Sequence, residues 1–285
     1  MATLYSPSEK GFDPRLEAID RCQVALLREM SSQMGGRLIL KGGMAMRAAF
    51  GSMRLTKDVD FDRDSTISQD ALKKSLERLL VRSAASAGLS GAKAQITKDT
   101  KTTVRARLEG IIGGADARFD VEVSGRETPN PANIRTVVVS PPSRYALSPF
   151  QITTYSNEAL AAMKIAAALS SQRNAPRDLY DLRDLIWAKA DPTELLARQD
   201  SSLLQEISDQ VLGKLELLSF QLAEQELLPY LPLAQRLALH EEQWIEATLL
   251  VAETIQAWCK AALDLQAHRA EGAEQTEARH ERCRR

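Results

Sequence analysis

Histidine is nearly absent from this sequence, and its scarcity limits the chemistry that the chain can perform. The 285 residues include three histidines, and all three lie late in the chain, at His240, His268 and His280. A Ser-His-Asp triad, a Cys-His pair or a histidine-rich zinc site is therefore excluded from most of the protein. We expect carboxylates to perform any acid–base or metal chemistry there.

Cysteine is also scarce, and long apolar runs are missing. Cys22, Cys259 and Cys283 are odd in number and far apart, which excludes a disulfide framework and a zinc-ligand pattern. No apolar run is long enough to span a bilayer, and the N-terminal segment lacks the apolar core of a signal peptide. The sequence therefore predicts a cytoplasmic protein that is not associated with a membrane.

Neither sign of charge is in excess. The chain has 37 lysines and arginines against 38 acids, for a net charge of -1. It is not a polycation, so a nucleic-acid partner would have to be held by a local basic patch. Apolar residues make up 44% of the chain, which is typical of a globular protein with a real core.

Hydrophobic periodicity predicts an α+β fold in two parts. Residues 1–150 are predicted to form a domain with a mixed β-sheet flanked by helices, and residues 151–268 an all-helical domain. Residues 269–285 are highly charged and are predicted to be a disordered tail. Helices are predicted at 14–34, from residue 44, and at 68–85, and strands at 37–40, 58–62, 102–112, 117–124 and 134–139.

Two motifs lie close together near the start of the predicted sheet. Lys41-Gly42-Gly43 ends a buried strand and opens a helix, and backbone N–H groups at such a turn can bind a phosphate. Asp58 and Asp60 project from one face of the next strand, where paired carboxylates can hold Mg²⁺. Most glycine pairs are only turns, and an Asp-x-Asp pair also fits a solvated edge strand.

A hairpin further along carries acids and bases on one face. Asp120 and Glu122 share a strand face and offer the third carboxylate that a two-metal site needs. Arg105 and Arg107 share a face of the preceding strand, and Arg118 points outward from the same strand as the acids. These arginines form a basic strip suited to a phosphate backbone, or else an ordinary exposed sheet face.

The helical part has one charged cluster. Lys164 lies in an alanine-rich helix and Arg173 follows it, while Asp178 and Asp181 are three residues apart and share a face of the next helix. Surface salt bridges would account for this pattern as well as a functional site would.

Taken together, these motifs resemble those of the AbiEii/AbiGii toxin family, nucleotidyltransferases of the DNA polymerase β type. The family has a K-G-G turn followed by R-x-[ST]-x-D-[IVL]-D-[FL], which is read here as Lys41-Gly42-Gly43 and then RLTKDVDF at 54–61. An acidic strand and a K…R…RD-x-x-DL signature follow, matched by VEVS at 121–124 and by Lys164, Arg173 and RDLYDL at 177–182. The resemblance extends from about residue 37 to residue 185.

The resemblance implies a role for each motif. Asp58 and Asp60 would hold Mg²⁺, and Glu122 or Asp120 would bind the second metal and help to deprotonate the acceptor hydroxyl. The nucleotide-binding residues implied are Lys41, Gly42, Gly43, Thr56, Lys164, Arg173 and Asp181. The family usually has Thr or Ser after the glycine pair, whereas this chain has Met44, and Thr56 or a backbone N–H is expected to substitute for the missing hydroxyl.

The implied activity is transfer of a nucleoside monophosphate from an NTP to a hydroxyl, with release of pyrophosphate. The resemblance points to the toxin of a toxin–antitoxin or phage-defence module, with a cognate antitoxin as a partner. RNA, and specifically the 3′ end of tRNA, is the expected acceptor, contacted by Arg105, Arg107 and Arg118. The alternatives are a small-molecule or protein acceptor, or an inactive binding protein on the same scaffold.

Overall fold

One mixed β-sheet is the centre of the first part of the chain. The computed structural model describes residues 11–64, 66–112, 114–170 and 173–283, with side chains as far as residue 272. Within these ranges the strands are β1 (Leu38–Lys41), β2 (Val59–Arg63), β3 (Ser90–Thr100), β4 (Thr103–Ile112), β5 (Ala115–Ser124), β6 (Ile134–Val139) and β7 (Phe150–Tyr155).

The strand order is β3-β4-β5-β2-β1-β7-β6. β2 is parallel to β5 and β1 is parallel to β7, while the other neighbouring strands are antiparallel. Strands β1 and β2 are therefore central, and each is paired on both sides. The sheet confirms the predicted α+β class.

The helices also follow the predicted order. They are α1 (Pro14–Met34), α2 (Gly42–Phe50), α3 (Gln69–Ser86), α4 (Asn157–Ala168), α5 (Pro176–Trp187), α6 (Thr193–Leu196), α7 (Ser201–Glu216), α8 (Phe220–Glu226), α9 (Leu233–Ala238) and α10 (Glu241–Cys283). Two of the three predicted helices in the first part, α1 and α3, have side-chain caps, whereas α2 has none. Asp13 accepts from the N–H groups of the first turn of α1, and Ser68 accepts from Ala71 N–H at the start of α3.

Alternation along the strands gives the sheet an apolar face and a polar face. Val59 and Phe61 of β2, and Val121 and Val123 of β5, are at most 1% exposed and lie in the core. Residues between them point to the opposite face, because successive side chains of a strand alternate. Asp60 therefore lies on that opposite face, which we call the open face.

A buried ion pair fixes α2 beneath the glycine turn. Arg47 of α2 and Asp20 of α1 are both 0% exposed, with Arg47 Nη2 3.4 Å from Asp20 Oδ2. Tyr145 donates a hydrogen bond to the same carboxylate at 2.7 Å, and Arg47 donates to the Ser52 carbonyl at 3.1 Å. Breaking such a cluster leaves a buried charge without compensation, so this cluster is expected to keep α2 in a single position.

The described chain divides into two compact units. The first is Met1–Ser156 with Glu224–Leu239, and the second is Asn157–Ala223 with His240–Arg285. The sheet continues past the predicted boundary at residue 150, because β7 pairs with β1. The segment Glu224–Leu239 returns to the first unit, where Leu55 N–H donates to the Tyr230 carbonyl at 2.8 Å.

The second unit is helical, as predicted. Its core includes Val251, Ile255 and Cys259 of α10, all 0% exposed. Trp244 donates its indole N–H to the Leu218 carbonyl at 2.6 Å. The stripe of large apolar residues on α10 is therefore a core stripe.

Helix α10 continues to Cys283, through most of the segment predicted to be a disordered tail. Alanine, glutamate, glutamine and arginine are strong helix formers, so a segment poor in apolar residues can still extend a helix that is anchored by its packed first half. Residues 284 and 285 lie outside the described ranges. No helix in the described part of the chain is long and apolar enough to cross a membrane.

Candidate active site

The chain turns from β1 into α2 at two glycines that touch side chains of the following segment. Gly42 has a φ of +68°, a conformation that favours glycine. A Cβ atom at Gly42 would lie 2.7 Å from Asp60 Oδ2, and one at Gly43 would lie 2.8 Å from Arg54 Nη2. The turn therefore brings the first N–H groups of α2, which bind anions at such positions, next to the Asp60 carboxylate.

Strand register aligns charged residues across the open face. Lys41 of β1 pairs with Asp60 of β2, and Asp60 pairs with Glu122 of β5. Glu122 pairs in turn with Arg105 of β4. Because paired strands are about 4.8 Å apart, Asp60 is one strand away from a lysine on one side and from a carboxylate on the other. We call these four residues the charge row.

The two arginines of β4 are held by the two acids of β5. Arg105 Nε donates to Glu122 Oε2 at 2.9 Å, and Arg107 donates to both oxygens of Asp120 at 2.7 and 3.0 Å. These hydrogen bonds raise the pKa of both guanidinium groups, and the nearby Asp58 adds a smaller attraction to each. Residues predicted for the acceptor and for the second metal are thus paired with each other.

The predicted metal ligands lie near one another without forming a complete metal site. Asp58 is exposed and Asp60 is half-buried, while Glu122 is bound to Arg105. Within the described ranges, no group of three His, Cys, Asp or Glu side chains is arranged to hold a metal ion. The oxygen donors that Mg²⁺ prefers are present, and both hydrogen bonds from Arg105 go to Oε2 of Glu122, which leaves Oε1 to join the others.

Arg118 lies away from the charge row. It is exposed and pairs with Glu109, toward the turn of the β4–β5 hairpin. Four residues of strand separate it from Glu122, or about 13 Å at 3.3 Å per residue. It shares the open face with Asp120 and Glu122, as predicted from the alternation.

Lys41 is bound by Asp62, and Asp62 is bound by Tyr155; the sequence-based site left out both residues. The Lys41 ammonium group donates to Asp62 Oδ1 at 2.6 Å, and Tyr155 donates its hydroxyl to Asp62 Oδ2 at 2.8 Å. Asp62 belongs to the Asp58-x-Asp60-x-Asp62 spacing, which could have indicated it. Tyr155 could not have been found this way, because the pairing of β7 with β1 is not visible in the sequence.

Thr56 and Met44 are both part of the core below the turn. Met44 is 0% exposed and Thr56 is 6% exposed. The Thr56 hydroxyl donates to the Asp58 carbonyl at 2.9 Å, and it lies 3.8 Å from the Met44 sulfur. In this arrangement Thr56 fixes the start of β2 beside Asp58, and its role in binding phosphate stays a prediction.

Within the helical unit, the predicted cluster is buried. The Lys164 ammonium group lies 2.8 Å from Asp178 Oδ1 and 2.6 Å from Asp181 Oδ2, and both aspartates are 0% exposed. Arg173 Nε lies 2.7 Å from Asp178 Oδ2. Surface salt bridges are therefore not the explanation for this pattern.

Comparison with known proteins decides the family. The family described as nucleotidyl transferase AbiEii toxin, type IV toxin–antitoxin system, matches residues 25–263. The chain belongs to the AbiEii family. It is a nucleotidyltransferase, which sets aside the alternative of an inactive binding protein.

Solved structures similar to this AbiEii chain confirm the fold. JHP933 from Helicobacter pylori has 17% identity and a TM-score of 0.51, over 92% of this chain and 99% of its own. A second H. pylori protein, provisionally assigned as a nucleotidyltransferase, has 17% identity and a TM-score of 0.53, over 87% of this chain and 98% of its own. No curated protein matches the sequence.

Proposed function

We propose that this AbiEii protein transfers a nucleoside monophosphate from an NTP to a hydroxyl at the 3′ end of an RNA, specifically tRNA, and so blocks translation. The observation that supports this most directly is the position of Asp60. It lies between a glycine turn suited to phosphate and a second carboxylate on the paired strand. The groups proposed to bind phosphate and metal thus lie on neighbouring strands, which supports a role in nucleotidyl transfer.

The proposed cofactor is Mg²⁺, held by Asp58 and Asp60, with Glu122 as the third ligand. Once bound, Mg²⁺ would neutralise charge on the transferred phosphate and favour loss of the proton from the attacking hydroxyl. Gly42 and Gly43 would bind the triphosphate through backbone N–H groups. Asp120, held by Arg107, is the weaker candidate for the third ligand, because both of its oxygens accept hydrogen bonds.

The family resemblance also gives residues of the helical unit a role in nucleotide binding. Lys164 would contribute positive charge to the triphosphate, with Arg173 and Asp181 fixing its position. Its ammonium group is already between two buried carboxylates, which keeps a flexible side chain in one place.

RNA is the proposed acceptor because the open face is basic on the side of β4. Arg105 and Arg107 keep 41% and 33% of their side-chain surface exposed, so a phosphate can reach them. Arginine binds phosphate as well as it binds carboxylate. An RNA phosphate that binds Arg105 would also release Oε2 of Glu122. A polycationic aminoglycoside would be repelled by the same arginines.

The biological setting follows from the family. A type IV toxin–antitoxin toxin implies a cognate antitoxin as partner. We propose the cytoplasm as the site of action, since NTPs and tRNA are found there, and phage defence as one setting in which growth arrest would benefit a cell.

The test is transfer of label to RNA. The full-length chain is incubated with total RNA, Mg²⁺ and each of the four α-labelled NTPs in turn, and the RNA is separated on a gel. We expect one or two of the NTPs to label RNA of tRNA size. Asp60→Asn serves as a near-isosteric control, and it should abolish labelling while the melting temperature stays near that of the wild type.

Two results would contradict the proposal. Labelling of RNA by Asp60→Asn at the wild-type rate would contradict the proposed metal site. Labelling of an added aminoglycoside or of the protein itself, with no labelling of RNA, would establish the small-molecule or protein alternative.

A further inference from the structure

Three side chains form a continuous set of contacts on the open face, which we call the lysine clamp. They are Lys41 of β1, Asp62 of β2 and Tyr155 of β7. Asp62 is 7% exposed and Tyr155 is 4% exposed, whereas the Lys41 side chain keeps 29% of its surface exposed. Asp62 and Tyr155 are therefore buried, whereas the Lys41 side chain is partly exposed.

Both oxygens of Asp62 are engaged within the clamp. Oδ1 accepts from the Lys41 ammonium group at 2.6 Å, and Oδ2 accepts from the Tyr155 hydroxyl at 2.8 Å. Burial of Tyr155, and then the charge of Asp62, raises the pKa of the tyrosine, so it stays a neutral donor at every physiological pH. Asp62 is thus committed to Lys41 and Tyr155.

The clamp lies next to the glycine turn. Lys41 immediately precedes Gly42 and is the register partner of Asp60. Gly42 in turn lies so close to Asp60 that a Cβ atom would be 2.7 Å from the carboxylate. Asp62, which holds the ammonium group, is the register partner of Ile39 and lies two residues along β2 from Asp60, or about 7 Å at 3.3 Å per residue.

We infer that Asp62 and Tyr155 are positioning residues that hold the Lys41 ammonium group in one place on the open face, on the side of Asp60, so that it meets the triphosphate of the incoming NTP. This inference rests on the proposed function. A free lysine would lose side-chain entropy on binding, and a lysine that is already ordered avoids most of that loss.

The competing explanation is structural. The clamp joins β1, β2 and β7, and it could do no more than stabilise the sheet. The two explanations differ in one respect: if Asp62 acts through Lys41, its replacement has no further effect on NTP binding once Lys41 is gone. A structural role would instead weaken binding equally in both backgrounds.

The test is a double-mutant cycle on NTP binding, measured by calorimetry with Mg²⁺ and non-hydrolysable α,β-methylene analogues of the four NTPs. The variants are Lys41→Ala, Asp62→Asn, Tyr155→Phe and Lys41→Ala with Asp62→Asn. Lys73→Ala is the matched control, since Lys73 is also ion-paired but lies on α3. Melting temperatures of all variants are recorded.

Lys41→Ala should weaken binding about 10- to 100-fold, as expected for a charge-assisted phosphate contact. Asp62→Asn should weaken it less, by roughly 3- to 10-fold, and the double variant should match Lys41→Ala alone. Tyr155→Phe should retain the fold and weaken binding slightly, which keeps the test valid if Asp62→Asn does not fold. Lys73→Ala should bind like the wild type.

Equal loss from Asp62→Asn in both backgrounds, or unchanged binding by Lys41→Ala, would overturn the inference while leaving the proposed function intact. Failure of the wild-type chain to bind any of the four analogues would overturn both.

Discussion

Replacing Lys164 by alanine should lower the stability of the helical unit, in addition to weakening any contact with nucleotide. The Lys164 side chain is 8% exposed and lies between the Asp178 and Asp181 carboxylates, both 0% exposed. Removing the ammonium group leaves two negative charges buried three residues apart. Arg173 remains beside Asp178.

The expected size of the effect follows from this burial. Breaking a buried ion pair by removing one partner costs about 3–5 kcal/mol, a large part of the roughly 5–15 kcal/mol that stabilises a domain. At about 4 °C per kcal/mol, the melting temperature should fall by roughly 12–20 °C. A loss of NTP affinity measured on this variant alone would therefore mix binding with partial unfolding.

Thermal and urea unfolding should be compared for Lys164→Ala and for the neutral triple variant Lys164→Met, Asp178→Asn, Asp181→Asn. The triple variant should regain most of the lost stability, because no charge then remains buried without a partner and Arg173, 42% exposed, can reach water. Lys260→Ala, at an exposed position of α10, is the matched control and should melt like the wild type. The reasoning is refuted if Lys164→Ala melts within about 3 °C of Lys260→Ala, or if the triple variant is less stable than Lys164→Ala.

Three further predictions concern growth, RNA binding and thiols. Expression of the wild-type chain should slow bacterial growth and Asp58→Ala should relieve it at matched protein levels; equal growth of the two cultures would count against a toxin. If three RNA phosphates are contacted, a plot of log RNA affinity against log salt concentration should have a slope of about -2 to -3. Replacing Arg105 and Arg107 together by alanine should make that slope shallower by about one to two units, and an unchanged slope would mean that the acceptor binds elsewhere. Burial raises the pKa of Cys22 to about 12 and that of Cys259 to about 11. At pH 8 a thiol reagent should therefore modify no more than one of the three thiols before denaturation, and rapid modification of two would be inconsistent with the buried positions. Because these pKa values are raised on folding, the contribution of the two thiols to stability should be lost as the pH rises above about 9.

Local pattern predicted the elements that are defined by their own residues. The helix at 14–34 and the strand at 134–139 match α1 and β6 residue for residue, because capping signals and apolar spacing are local. The face on which Asp60 and Glu122 lie could also be predicted, since alternation along each strand places the acid opposite the core valines.

The features of the fold that were not predicted depend on pairing between residues that are distant in the sequence. β3 and β7 were not predicted: β3 has small and charged residues at its alternating positions, and β7 directly follows Pro149. Without β7 the sequence could not bring Tyr155 to Asp62. The return of Glu224–Leu239 to the first unit was missed for the same reason, because its apolar residues fit a helical core equally well.

The ion pairs of the β4–β5 hairpin were missed even though every participating residue had been singled out. Arg105 and Glu122 were assigned to different ligands, and their pairing depends on register across a turn whose length the sequence leaves uncertain by one residue. Gly114 has a φ of +82° in that turn, and Gly113 lies outside the described residues. A shift of one position would have paired Arg105 with a valine.

The alternation of β5 limits how this protein can change in evolution. Val121 and Val123 fill the core, and the acids that face the glycine turn are interleaved with them. Inserting or deleting a single codon within the strand would exchange its two faces, burying carboxylates and exposing valines beyond the change. Substitutions can therefore alter the chemistry of Glu122 one residue at a time, whereas changes in chain length are confined to the loops, and homologues that gain or lose residues should do so outside Ala115–Ser124.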